Sequence, residues 1–358
     1  MIPKQLSLTK AHGKAFTLVE VMVAVVVTAM IVVMMGQLAK NATAVARTSD
    51  KHIDTDVQAR ALLDRMAVDF AKMLKRTDVD YYIKAPIGYK NPNAHGSGKH
   101  LKTGQPGNDQ IAFFSQVPGY NSTTSTLVSP LSLVAYRINA GSTSSQNYLQ
   151  LERMGKALLW NGVKNANNDP YPIVFLPGQI AAATGPWANN GVWAAAINND
   201  NSAKSSDSDY AQIGPQVFRL EYYYLLKDGS IKDVPAISWD SSQTVSANVN
   251  AFADVEAIVV AIAVIDPPSR LLLYNSATPT DPYNRLFNLM SDMADFKNAN
   301  GNGVGAQKVG DVENQWNAAI QHAATTGTTY DLSPFPAAAA KNIRVYNRYF
   351  DLKTPAGF

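Results

Sequence analysis

Cysteine is absent from the 358 residues of this chain. Its absence excludes disulfide bonds, thiolate metal sites and cysteine nucleophiles. Proline is also absent between Pro3 and Pro86, so nothing in that stretch interrupts a long helix. The core, with any bound ions, must therefore supply all of the stability of a folded domain.

Charge is scarce as well, because only 16% of the residues are charged. The net charge of +3 comes from Lys4, Lys10 and Lys14, so the rest of the chain is formally neutral. A neutral domain has no general attraction for phosphate backbones, and no nucleic-acid partner is expected. Asn, Ser, Thr and Gly crowd the second half, which indicates a β-rich domain with many loops.

An apolar run, FTLVEVMVAVVVTAMIVVMMGQL, covers residues 16–38 and contains one charge, at Glu20. That length crosses a hydrocarbon layer of about 30 Å as a helix. The run is too long for the apolar region of a secretory signal. The three lysines before it hold the N-terminus in the cytoplasm. We therefore expect one crossing of the inner membrane, with the C-terminal bulk in the periplasm or outside the cell.

Glu20 is the informative residue of this run, because an ionisable group inside a bilayer is costly unless it is paired. Cleavage between Ala15 and Phe16 would create an α-amino group at nearly the same depth. A neighbouring copy of the helix, staggered in a filament, could bring its amine to this carboxylate. The alternative interpretation is that Glu20 lies near the membrane edge of a simple anchor.

The segment KAFTLVEVMVAV resembles the type IV prepilin family, which includes the pseudopilins of type II secretion. The resemblance implies that Ala15 precedes the bond cut by a prepilin peptidase and that Phe16 becomes the N-methylated first residue. It also implies that Phe16, Thr17, Leu18 and Glu20 form the assembly segment, where other pilin or pseudopilin subunits dock.

The cleavage position departs from the family pattern, since the family usually has Gly where this chain has Ala15. A small residue is kept there, so cleavage is expected to survive. Gly13 is a competing site, but a poorer one. Cutting after it would make Lys14 the first residue and would move Glu20 from its place.

Four segments follow from this reading. Residues 1–15 are a basic leader, 16–38 the transmembrane and filament-core helix, 39–76 an amphipathic continuation of that helix, and 77–358 a β-rich extracytoplasmic domain. Apolar residues at helical spacing predict the buried face of the continuation; they are Ile53, Val57, Leu63, Met66, Phe70 and Leu74.

The remaining pattern predicts an α+β fold, a long N-terminal helix packed on an antiparallel sheet with loop insertions at 184–214 and 298–310. An Asp228-Gly229 turn predicts a hairpin into Ser230–Trp239, and Val255–Ile265 reads as a central buried strand ended by Asp266-Pro267-Pro268. The other predicted strands are Gln110–Val117, Leu131–Ile138, Tyr148–Met154, Ile173–Leu176, Val217–Lys227 and Ile343–Phe350. Helices are predicted at Tyr283–Asp295 and Val312–Ala323.

A second resemblance concerns the sheet region. Val217 to Ile265 is similar to the end of the J-type minor pseudopilins and the W-type minor pilins. The chain also looks like the large prepilin-like Verru_Chthon cassette proteins, in which a D-P-x-S-R stretch such as Asp266 to Arg270 recurs. The resemblance to the J-type and W-type proteins implies a minor subunit.

Candidate ligand sites are few. His95 and His100 could hold a metal, but no third ligand is evident and an exposed loop is the simpler interpretation. Gly98-Lys99 fails as a phosphate loop, because Asn93 and His100 stand where Gly and Ser or Thr belong.

Calcium is the one ion for which a loop pattern exists, at Asn298, Asn300 and Asn302. The twelfth position of that loop is Val309 rather than an acid, so a solvated linker is favoured and no cofactor is expected.

Aromatic residues could line a binding surface, although packing in the core is their default role. They are Trp160, Trp187, Trp193 and Trp239, with the tyrosines at 222–224.

The sequence thus predicts a structural subunit rather than an enzyme. Its expected partners are the prepilin peptidase, other pilin or pseudopilin subunits and inner-membrane lipid. The rival hypothesis is a membrane-anchored extracytoplasmic domain that binds a ligand or catalyses a reaction and does not polymerise.

Overall fold

The computed structural model describes eleven stretches of the chain, which divides into two compact units, residues 1–51 and 52–358. The described residues are 17–75, 90–91, 100–101, 108–120, 128–139, 148–157, 209–232, 255–273, 285–293, 308–329 and 332–352.

Helix α1 spans Leu18–Ala71 and contributes to both units. In the first unit every side chain from Thr17 to Ala46 is exposed, and Leu18–Ala46 is long and apolar enough to cross a membrane. The hydroxyls of Thr28 and Thr43 donate to carbonyls one turn earlier, at 2.7 and 2.8 Å. These polar groups are therefore satisfied within the helix, as an apolar surrounding requires.

The helix ends earlier than the predicted end near Arg76. After Ala71 the backbone turns and pairs with a strand, where Leu74 N donates to Phe114 O at 2.8 Å and Met73 bridges Ser115. Sheet pairing satisfies the backbone here, so the helical hydrogen bonds do not continue.

The buried face of α1 in the second unit differs from the predicted one. Leu63, Met66 and Phe70 are buried as predicted, but Ile53 and Val57 are 55% and 60% exposed. The buried stripe is Thr55, Ala59, Leu62, Leu63, Met66, Phe70 and Met73. Residues 57 and 59 are about 200° apart around a helix, so the sequence carries two apolar stripes and only one of them packs on the sheets.

The first of two large sheets is mixed and mostly antiparallel. Its strands are β3 (Ile111–Ser115), β4 (Gly119–Tyr120), β5 (Val128–Ser129), β6 (Ser132–Ile138), β7 (Leu151–Ala157) and β8 (Tyr210–Gly214), and a separate pair is formed by β1 (Lys90–Asn91) and β2 (His100–Leu101). The order is β3-β6-β7-β4-β5, and β8 also pairs with β7. The predicted strands β3, β6 and β7 are confirmed. Strand β8 lies inside the stretch predicted as an insertion, and the predicted strand Ile173–Leu176 lies outside the described residues.

The second sheet is antiparallel throughout, in the order β10-β9-β11-β12. Its strands are β9 (Val217–Leu226), β10 (Ile231–Lys232), β11 (Val255–Ile265) and β12 (Ile343–Asp351). Strand β11 has a neighbour on each side and is buried except at Glu256, which confirms the predicted central strand. The β9–β10 hairpin is also confirmed, with Gly229 at φ 79° in its turn; residues 233–239 of the predicted second strand lie outside the described residues.

Four shorter helices complete the described fold: α2 (Pro267–Leu271), α3 (Arg285–Asp292), α4 (Asp311–Thr326) and α5 (Ala337–Ala340). Helices α3 and α4 confirm the two predicted helices. The predicted strand stop at Asp266-Pro267-Pro268 is also the start of α2. Asp266 caps it by accepting from Ser269 N at 3.1 Å, and the first turn tolerates Pro267 because its missing N–H would have no helical partner.

The core joins the helix to both sheets around Phe70. Its ring centroid lies 5.0 Å from that of Phe113 in the first sheet and 5.0 Å from that of Phe350 in the second. The segment before β3 also covers the edge of β9, where Leu220 N donates to Asn108 Oδ1 at 2.7 Å. These contacts confirm the predicted fold class: α+β, with a long N-terminal helix packed on antiparallel sheet.

Candidate assembly site at the start of the helix

Thr17 and Glu20 form a capping box at the beginning of α1. Thr17 N and Thr17 Oγ1 each donate to Glu20 Oε2 at 2.9 Å, and Glu20 N donates back to Thr17 Oγ1 at 3.3 Å. This reciprocal arrangement satisfies backbone donors that have no partner within the helix. The spacing T-L-V-E is itself the sequence signature of such a box, so Glu20 has a local role that its position in an apolar run does not reveal.

The capping box leaves part of the Glu20 carboxylate available. Oε2 accepts both hydrogen bonds from Thr17, and Oε1 accepts none from the described residues. A carboxylate offers about four acceptor positions. No lysine or arginine of the described residues lies within salt-bridge distance of Glu20. The helix N-terminus favours the negative charge, and the carboxylate can still accept a hydrogen bond from a cation outside this chain.

Some of the predicted site residues lie within the described residues, and two lie outside them. Thr17, Leu18 and Glu20 lie together in the first turn of α1, where the Leu18 side chain is 76% exposed. Ala15 and Phe16, the predicted cleavage residues, lie outside the described residues.

A second acid on the same helix, Asp69, has a different environment. Its side chain is fully buried, and Arg153 Nε and Nη2 donate to its two oxygens at 2.7 and 3.0 Å. The Tyr136 hydroxyl donates to Oδ2, and Ser115 Oγ donates to the Asp69 carbonyl at 2.9 Å. Burial, followed by the charge of Asp69, raises the pKa of Tyr136 well above its usual value. Asp69 therefore fastens the helix to strands β3, β6 and β7.

Two further buried ion pairs lie in the sheets. Arg137 Nε is 3.2 Å from Glu152 Oε2, and its guanidinium lies 3.6 Å from the centroid of the Tyr210 ring. Arg219 Nη2 is 3.3 Å from Glu221 Oε2 and 3.2 Å from the carbonyl oxygen of Met293. Each charge has an opposite charge beside it, which is how buried ionic groups are accommodated in a core.

Arg270, the last residue of the D-P-x-S-R stretch, connects the two sheets. Its Nη1 donates to Pro215 O at 3.1 Å, and its Nη2 donates to the carbonyls of Tyr148 and Leu149, the second at 2.8 Å. The guanidinium is buried and binds the chain just before β7 and between β8 and β9. This stretch therefore has a structural explanation, since Asp266 caps α2 and Arg270 fixes the neighbouring loops.

Other sequence candidates do not form a site among the described residues. His95 and the side chain of His100 lie outside them, as do Asn298, Asn300, Asn302 and the four tryptophans. Within the described stretches, no three His, Asp or Glu side chains group as metal ligands would. Tyr222, Tyr223 and Tyr224 are buried in the core, so the idea that they line a binding surface is wrong and their default packing role is confirmed.

No protein-family model matches this chain, and no curated protein matches it. The features of this chain that indicate a function are therefore its N-terminal sequence and the geometry of the first turn of α1.

Proposed function

We propose that this chain is a prepilin-like structural subunit, processed before Phe16 and assembled into a type IV pilus or a type II secretion pseudopilus. The basic leader and the apolar helix insert it into the inner membrane, with its C-terminal domain outside the cytoplasm. Glu20 then pairs with the new α-amino group of a neighbouring subunit.

The single observation that carries this proposal is the state of Glu20. It is the one acid in the exposed apolar segment Leu18–Ala46 of α1, and its partners within the described residues are both on Thr17, one turn away. A simple anchor has no use for a charge at this depth, and a helix cap needs only a neutral acceptor. Docking to an amine requires a negatively charged acceptor with an oxygen that can still accept a hydrogen bond.

The size of the outer domain supports a minor subunit near a filament tip. The described residues of the second unit form two large sheets and four short helices. Subunits repeated along a shaft need compact domains that pack against one another. A subunit at the end of a filament can carry a larger domain, because no further subunit follows it.

The decisive experiment separates the cap from the charge. Glu20→Gln keeps the capping box, because Gln also serves at this position, but removes the negative charge. Thr17→Ala removes the cap and keeps the charge. Each variant is expressed beside the other assembly genes, and its incorporation into sheared filaments is measured by immunoblotting.

We expect Glu20→Gln to abolish incorporation and Thr17→Ala, which alters the same assembly segment but keeps its charge, to lower it only in part, while both proteins stay in the membrane fraction. Normal incorporation of Glu20→Gln would contradict the proposal and would leave a membrane-anchored domain that does not polymerise.

Mass spectrometry of the N-terminus tests processing independently. We expect the mature protein to begin at Phe16 with one added methyl group. Ala15→Leu places a bulky side chain before the cut and should leave the leader attached. A wild-type protein that keeps residues 1–15 in cells with an active prepilin peptidase would overturn the proposal.

A further inference from the structure

An apolar surface is exposed at one end of the second unit. Pro267, Pro268, Leu271 and Leu272 lie on and just after helix α2 and are exposed, and they are called the leucine patch below. The two leucine side chains are 72% and 54% exposed. Adjacent exposed leucines are unusual on a water-facing surface unless they have a partner.

The direction of α1 identifies this end of the unit. Tyr346 in β12 donates to Asp56, and four residues later Phe350 contacts Phe70, so β12 and this part of α1 run in the same direction. Ile343, the first residue of β12, therefore lies at the end of the unit where α1 enters.

Helix α2 lies at the same end. Ile265, the last residue of β11, pairs with Ile343, and α2 follows directly after β11. Asn342 Nδ2 also donates to Ser269 Oγ at 2.8 Å, which holds α2 beside the start of β12. The leucine patch thus lies at the entry end of the domain. The β9–β10 turn lies at the opposite end, about 35 Å away along β11.

The chain length between membrane helix and domain limits how far this end can be from the bilayer. The candidate span ends at Ala46, and Thr55 is already buried in the domain. The eight residues between them cover about 13 Å as a helix and about 30 Å fully extended. The chain itself therefore holds the entry end of the domain within about 30 Å of the end of the candidate span.

The charges around the patch fit a lipid surface. Lys341 and Arg344 are exposed and flank the entry end of β12. Basic side chains beside exposed leucines are the combination that binds anionic headgroups while apolar atoms enter the acyl boundary.

We propose that the leucine patch inserts into the headgroup layer of the membrane that α1 crosses, so that the outer domain rests on the bilayer before assembly. This inference uses the membrane insertion of the proposed function, but neither cleavage nor polymerisation. The contact would fix the orientation of the domain and would have to be released when the subunit leaves the membrane.

The test uses the absence of native cysteine. Single cysteines replace Ala337 beside the patch, Lys227 in the far turn or Val32 in the span, and each carries an environment-sensitive fluorophore. The full chain is reconstituted in vesicles of phosphatidylethanolamine and phosphatidylglycerol that contain a nitroxide-labelled lipid, and quenching is measured.

We expect strong quenching at position 32, none at 227, and a loss of roughly half the emission at 337, as for a probe about 5–10 Å inside the headgroup boundary. Adding Leu271→Asp and Leu272→Asp should return the emission at 337 to the level at 227. The matched control Val309→Asp, at an exposed apolar residue outside the patch, should leave it unchanged.

Three outcomes separate the possible failures. No quenching at position 32 would refute membrane insertion and the proposed function with it. Quenching at 32 without quenching at 337 would refute only the lipid contact. Efficient cross-linking of the Ala337→Cys protein to a second copy, without quenching, would assign the patch to a protein interface and would also overturn this proposal.

Discussion

The two halves of helix α1 place an acidic side chain in opposite environments. Glu20 stands in an exposed apolar segment, and within the described part of the chain its carboxylate accepts hydrogen bonds from Thr17 alone. Asp69 stands in the buried segment, where Arg153 and Tyr136, from two different strands, occupy its oxygens.

The difference shows how structural and intermolecular charges can be distinguished. A buried acid whose acceptors are filled by the chain itself has no capacity for a partner, and its removal leaves buried groups unpaired. An acid with local bonds and an unused oxygen retains that capacity. By this criterion Asp69 belongs to the folding of the domain, whereas Glu20 keeps the capacity that its proposed role in assembly requires.

The largest expected effect is that of Asp69→Ala on folding. Removing this carboxylate leaves Arg153 and the Tyr136 hydroxyl without their partner in the core, which costs about 3–5 kcal/mol of unfolding free energy. Urea denaturation followed by tryptophan fluorescence measures the loss.

Asp64→Ala is the matched control, because Asp64 pairs with Arg348 at the surface and its side chain is 70% exposed. It should cost less than about 1 kcal/mol. Equal losses for the two variants would remove the distinction between structural and surface acids on this helix.

A smaller loss is expected for Arg270→Met, which keeps much of the side-chain length but removes every donor. Three backbone carbonyls lose a charged partner, and each such buried group costs about 1–3 kcal/mol when left unsatisfied. The control is Lys341→Met, at an exposed residue nearby, which should change the unfolding midpoint little. If both variants unfold alike, Arg270 does not hold the loops of the two sheets together.

The pH dependence of stability gives a second test of the Asp69 site. Because the folded state raises the pKa of Tyr136, the protonated phenol stabilises the fold fully below pH about 10, its unfolded value. This contribution is lost as the pH rises further toward the higher folded pKa. Tyr136→Phe should therefore make the alkaline decline in unfolding free energy shallower.

Tyr346 in β12, which donates to Asp56 of α1, offers a comparison nearer the surface. Burial and then its hydrogen bond to Asp56 raise its pKa to about 12, so Tyr346→Phe should flatten the decline between pH 10 and 12. An alkaline profile that neither substitution changes would show that these tyrosines do not couple titration to folding.

The smallest effect on folding is expected at Glu20. Neither Glu20→Gln nor Thr17→Ala should change the urea midpoint of the outer domain, since both residues belong to the first unit and their hydrogen bonds stay within the first turn of α1. The same measurement used for Asp69→Ala checks this. A clear shift would mean that the start of α1 is coupled to the domain and would weaken the assignment of Glu20 to assembly.

Much of the secondary structure followed from local pattern. The unbroken apolar strand Val255–Ile265 was predicted to its ends, and the aromatic strand at Val217 was predicted to within a residue, because alternation and turn residues act over a few positions. The N-terminal run and its single acid are equally local features. The capping box was also readable in T-L-V-E, from spacing alone.

Only the tertiary structure decided which stripe of the amphipathic helix is buried and what Asp69 and Arg270 do. Two apolar stripes are present, and the one containing Ala59 and Phe70 was chosen by the shape of the sheets that pack on it. The partners of Asp69 lie 67 and 84 residues away in sequence. Periodicity reports which side chains share a face, whereas the identity of the opposing surface depends on contacts that a local pattern does not contain.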